Sequence, residues 1–138
     1  MKLTRRHTLM LAMGSAAMAM LPLRATAAAE DAIAAFTGGA AVGTEGITLI
    51  APEIAENGNT VPIEVNAPGA EAIIVLAAGN PTPAVATFNF GPLAAAQHAA
   101  TRIRLAGTQD VIAIARMPDG SFVQASQEVK VTIGGCGG

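Results

Sequence analysis

From Gly46 onward, clusters of Gly, Pro, Asn and Asp recur every 8–15 residues and cut the chain into seven short apolar or alternating segments. These are GITLIAP, TVPIEV, EAIIVLAA, AVATFNF, ATRIRLA, DVIAIAR and SFVQASQEVKVTI. Alternation with period two sends successive side chains to opposite faces of a strand. In GITLIAP it puts Ile47 and Leu49 on one face, and in TRIRL it separates Arg102 and Arg104 from Ile103 and Leu105. Short strands joined by tight turns bury their apolar faces most simply as two facing sheets. The segmentation predicts an all-β, antiparallel β-sandwich of about seven strands.

Two segments break the alternation. AIIVLAA and VIAIA have no polar face, so both are central and covered, or a partner covers one apolar face. The stretch PLAAAQHAA (Pro92–Ala100) is compatible with one or two helical turns. Ahead of the strands, EDAIAAFTGG reads as one short helix. Glu30 and Asp31 suit a helix N-terminus, Ile33 and Phe36 lie one turn apart, and Gly38 and Gly39 stop it.

The N-terminus is an export signal by composition. Lys2, Arg5 and Arg6 precede a Leu/Met/Ala run from Leu9 to Leu23, followed by the small residues Ala25 to Ala29. The run is too short and too weakly apolar for a membrane span. The paired arginines in TRRHTL fit the twin-arginine pattern. The expected organisation is therefore a cleaved signal at 1–29, a β-sandwich domain at 30–133 and a tail at 134–138, with the mature protein in the periplasm. The part after the signal keeps four basic residues (Arg102, Arg104, Arg116, Lys130) and ten acidic ones, a formal charge of −6. An acidic chain without Trp or Tyr lacks both phosphate-neutralising charge and stacking rings, which argues against nucleic acid as a partner.

The sequence ends TIGGCGG, and Cys136 is the single cysteine. One cysteine in an exported chain cannot close an internal disulfide; it is a free reactive thiol or a bond to another molecule. Gly134 and Gly135 before it, and Gly137 and Gly138 after it, leave the backbone free and the thiol unobstructed. From Ile133 to Cys136 an extended tether spans about 10 Å, enough to enter a cleft of another protein. An ordinary thiol ionises near about 8.5, and the neighbouring C-terminal carboxylate opposes ionisation, so activation is expected from an external enzyme. No catalytic residue, cofactor or metal site is expected within the chain. One Cys and His98 do not make a tetrahedral zinc site. His98 could serve Cys136 as a base only if the tail folded back onto it. Glu53 and Glu56 read as loop residues. A tethered structural module held by an intermolecular disulfide at Cys136 is the alternative reading.

Three stretches, ITLIAPEIAENGNTVPIEV, TRIRLAGTQDVIAIARMPDGS and the terminal VKVTIGGCGG, are similar to the SoxY family, the sulfur-carrier subunits of the bacterial periplasmic thiosulfate-oxidising (Sox) system. The resemblance implies an immunoglobulin-like sandwich and a heterodimer with SoxZ, which would account for the strands lacking a polar face. It implies that Cys136 holds sulfur intermediates covalently while Gly134, Gly135, Gly137 and Gly138 form a swinging arm. It further implies transient docking to the SoxAX cytochrome, the SoxB hydrolase and, where present, the sulfane dehydrogenase SoxCD. The carrier itself would catalyse none of their steps.

Overall fold

The computed structural model describes residues 26–133; the signal run, the GGCGG arm and Cys136 lie outside the described residues. Helix α1 (Ala27–Thr37) is followed by nine strands: β1 (Val42–Gly43), β2 (Thr48–Ile50), β3 (Ile54–Ala55), β4 (Val61–Asn66), β5 (Ala72–Ala77), β6 (Ala84–Asn89), β7 (His98–Ile103), β8 (Gln109–Arg116) and β9 (Phe122–Val131). One sheet runs β1-β9-β8-β5-β6, with β3 also on β9; the other runs β2-β4-β7.

The seven segments read from the sequence are β2 and β4 to β9. The two additional strands, β1 and β3, have two residues each and pair parallel to β9. Two residues show no period, so nothing in the sequence marks them. Pro92–Gln97 is turn and irregular chain rather than helix, and β7 begins at His98.

The core lies between the sheets. In β4, Val61, Ile63 and Val65 point inward and Pro62, Glu64 and Asn66 outward, the alternation of a sheet with one wet face. Opposite them sit Ile73 and Val75 of β5, Val111 and Ala113 of β8, and Val129 of β9. Each fully buried Ile, Leu or Val contributes roughly 1.5–3 kcal/mol of transfer free energy.

The strands without a polar face are explained from within the chain. Strand β5 is buried on both sides along its whole length. Its outward residues Ile74 and Leu76, with Ile112 and Ile114 of β8 and Phe122 of β9, form a second apolar cluster under α1, which supplies Ala32, Ile33 and Phe36. The expectation that a partner such as SoxZ accounts for these strands is corrected: the N-terminal helix covers them. Phe36 meets Phe122 edge to face at 5.7 Å between centroids, and the Arg116 guanidinium sits 5.8 Å above the Phe36 ring. Phe36→Ala is expected to cost about 2 kcal/mol, through lost area and the aromatic pair. Urea titration should show a lowered midpoint at unchanged slope.

Caps and turns fix the ends. The Thr26 hydroxyl accepts from Ala29 N at 3.2 Å and donates to the Ala78 carbonyl at 3.0 Å, so it caps α1 and staples it to the end of β5. Gly38, at φ 65°, terminates the helix in the left-handed conformation. In the MPDG turn, the Ser121 hydroxyl and amide donate to Asp119 at 2.6 and 2.9 Å and hold its carboxyl below the ordinary carboxylate range. The folded carboxyl is thus the more acidic one. Its stabilising contribution is complete above the unfolded value and is lost as pH falls through the folded value.

Candidate functional site: the root of the C-terminal arm

The last strand is held to the body up to its final residue. Lys130 N donates to the Glu53 carbonyl at 2.9 Å and Thr132 N to the Ala55 carbonyl at 3.0 Å. The Thr132 hydroxyl donates to the Glu56 carbonyl at 3.1 Å, and Val131 N to the Thr108 hydroxyl at 3.0 Å. Finally Gly58 N donates to the Ile133 carbonyl at 2.8 Å, while the Gly58 carbonyl accepts from Leu105 N at 2.7 Å. Leu105 is fully buried. The chain is therefore pinned to the core at Ile133, and Cys136 follows three residues later.

The segment carrying Glu53 and Glu56, read from the sequence as a plain loop, contains β3 and acts through its backbone. Its carbonyls hold β9, and Glu53 borders a shallow polar hollow with Gln127, Glu128 and Lys130. His98 is remote from the root. It pairs across from Asn66 at one end of β7, whereas Ile103, beside the root, pairs with Val61 at the other. Five residues of strand separate the two, about 17 Å. Its Nε2 lies 4.0 Å from Glu64, on the exposed face.

Beside the root the ends of the two sheets leave a cleft of about 450 Å³ lined by Asn59, Asn80, Thr82, Arg102 and Arg104 together with apolar strand residues. Arg102 reaches along its strand so that Nη1 contacts the Thr60 hydroxyl at 3.4 Å, toward the root. Asn80 organises the cleft floor. Its Nδ2 donates to the Arg104 carbonyl at 2.7 Å and its Oδ1 accepts from Ala106 N at 2.9 Å and from Gln109 Nε2 at 2.9 Å. Gln109 Oε1 in turn accepts from Gly79 N at 2.8 Å. Gly79 allows this close approach, since a Cβ there would lie 3.2 Å from Gln109 Cβ. The sequence marked Asn80 and Gly58 only as turn residues, in NPTP and ENGN, and gave Gln109 no role. Their roles depend on partners 24–75 residues away in the chain, which no local pattern records. Among the described residues no three His, Cys, Asp or Glu side chains converge as a metal site, and no helix is long and apolar enough to cross a membrane.

The family model "SoxY: Sulfur oxidation protein SoxY" matches residues 33–136, most of the chain and up to Cys136 itself. The chain belongs to the SoxY family. Its fold agrees with that of the sulfur carrier protein SoxY from Chlorobium limicola f thiosulfatophilum. The two share 37% identity at a TM-score of 0.65, over 75% of this chain and 96% of that one. The superoxide reductase (neelaredoxin) from Ignicoccus hospitalis shares the fold alone, at 19% identity and a TM-score of 0.56, over 64% of this chain and 81% of that one. No curated protein matches the chain. The immunoglobulin-like sandwich expected of a SoxY protein is the fold observed.

Proposed function

We propose that this SoxY-family chain is a covalent sulfur carrier of thiosulfate oxidation and that its cargo is bound to the Cys136 sulfur. The observation that carries this reading is that the family match runs to residue 136, the single cysteine of the chain. Loading joins the thiol to thiosulfate as a thiosulfonate, with one proton released and two electrons passed to an oxidant; in the Sox system that oxidant is the SoxAX cytochrome. Hydrolysis by SoxB then releases sulfate and leaves a persulfide, which SoxCD, where present, oxidises for a second hydrolysis. The chain contributes proximity. A substrate on a three-residue tether meets each active site at high effective concentration, and Gly134, Gly135, Gly137 and Gly138 let the thiol turn as each site requires. No cofactor other than the bound sulfur enters this scheme. The heterodimer with SoxZ rests on family membership, because α1 covers the strands that had suggested a partner.

We place the protein in the periplasm, exported by the twin-arginine route suggested by Arg5 and Arg6. Thr26 caps α1 and Ala29 is fully buried, so cleavage after Ala29 would remove the cap and first turn. N-terminal sequencing of the exported protein is expected to find Thr26 retained; a start at Glu30 would contradict this.

The function is tested in a periplasmic extract lacking the protein. Thiosulfate-dependent cytochrome reduction is expected to return when the protein is added, and not when protein carbamidomethylated at Cys136 is added. Equal recovery with the blocked protein would overturn the carrier role.

A further inference from the structure

We infer that the cleft beside the arm root is an anion site that docks the sulfonate end of the chain's own thiosulfonate adduct between reactions, an inference that rests on Cys136 bearing such an adduct. The charge balance is the first argument. The chain after the signal carries four basic residues against ten acidic ones, and two of the four, Arg102 and Arg104, line this one cleft. Arg116 is paired with Glu71 at 3.4 Å. Neither Arg102 nor Arg104 has a carboxylate within ion-pair distance among the described residues, and the cleft lining contains no acid. Two guanidinium groups without a carboxylate partner among the described residues, with Asn59 and Thr82 beside them, offer charged and neutral donors suited to a sulfonate's three oxygens.

Position is the second argument. Ile133, Gly58 and Leu105 are joined by two consecutive backbone hydrogen bonds of 2.8 and 2.7 Å. Asn59 and Arg104, which line the cleft, are the immediate chain neighbours of Gly58 and Leu105. The pinned start of the arm is thus one residue removed from the cleft rim, and a three-residue tether has a reach of up to about 10 Å from there. The Asn80 network fixes the backbone of Arg104 and Ala106, so the Arg104 side chain projects from a rigid base. A short flexible tether presents its end at roughly millimolar effective concentration. Even a weak anion site is then occupied by the tethered sulfonate while remaining empty toward dilute free anions. A persulfide, which has lost the sulfonate to hydrolysis, keeps a single charged sulfur in place of three acceptor oxygens and is held less tightly.

The experiment loads the arm chemically. With tetrathionate, the Cys136 thiolate attacks an inner sulfur, the central S–S bond breaks, thiosulfate leaves and the thiosulfonate adduct remains; the thiol proton goes to solvent. The Nε–Hε signals of Arg102 and Arg104 are then followed by NMR in mature protein carrying the free thiol, the thiosulfonate or a carbamidomethyl group. Both arginine signals are expected to move in the thiosulfonate form only; the C-terminal carboxylate is common to all three forms and cancels. Reduction of the adduct by dithiothreitol is expected to be about fivefold faster in the Arg102→Gln/Arg104→Gln double variant, which leaves the fold's buried groups untouched. Unmoved arginine signals, equal shifts with the neutral carbamidomethyl group, or an unchanged reduction rate would each overturn the docking site. Loading by tetrathionate does not depend on what cells attach to the thiol. Failure here therefore leaves the carrier role standing, and absence of sulfur adducts in cells would sink that role without touching this result.

Discussion

Cells whose chromosomal copy carries Cys136→Ser are expected to lose thiosulfate-dependent respiration to background, with the purified variant unfolding at the wild-type midpoint. Serine keeps size and polarity, but its hydroxyl cannot form the proposed sulfur–sulfur bond to the cargo. No other side chain can substitute, because the chain has one cysteine. Residue 136 lies three residues beyond Ile133, where the chain is pinned to the core, and the exchange replaces one sulfur by oxygen, so the loss should be purely chemical. Far-UV circular dichroism and thermal unfolding check the second half of the expectation. A variant that still supports thiosulfate respiration would mean that the thiol carries nothing, and a tethered structural module would become the better account.

Asn80→Ala is expected to be the most damaging polar substitution, at about 3 kcal/mol. Asn80 is only 6% exposed, and truncation strands three groups at once: the Arg104 carbonyl, Ala106 N and one Gln109 Nε2 donor. Gln109 Nε2 retains the Gly107 carbonyl at 3.0 Å, which moderates the loss. An unsatisfied buried polar group costs roughly 1–3 kcal/mol, and a methyl-sized void adds to it. For a domain of this size the whole stability is roughly 5–15 kcal/mol, so the fall should be plain in chemical denaturation. Asn80→Asp keeps the acceptor and loses the donor to Arg104, and should fall between the two. A loss below about 0.5 kcal/mol for Asn80→Ala would contradict the network.

The strand skeleton was legible in the sequence because alternation and turn residues are local signals. Strand β4 is the clearest case, with its apolar and polar positions matching the two faces one for one. The turn at Met117–Gly120 was equally plain, since only glycine adopts φ 84° at Gly120 without strain. What stayed hidden depended on distant pairing. AIIVLAA announced a strand covered on both faces, but not that residues 27–37 do the covering; Ala32, Ile33 and Phe36 form too sparse a stripe to specify their target. The seven-strand reading omitted β1 and β3 because two residues pairing with a strand some 80 residues on have no period. At the site, the GGCGG ending stood out by its composition. The pinning of Ile133 by Gly58, and the convergence of Asn59, Asn80, Arg102 and Arg104 beside it, are products of the sheet ends meeting.

The most direct measurement is the intact mass of the protein taken from the periplasm of thiosulfate-grown cells, with and without reductant. The account predicts adducts of sulfur or thiosulfate mass that map to the C-terminal peptide containing Cys136 and vanish on reduction. A bare thiol under both conditions, or only a disulfide-linked dimer, would contradict it.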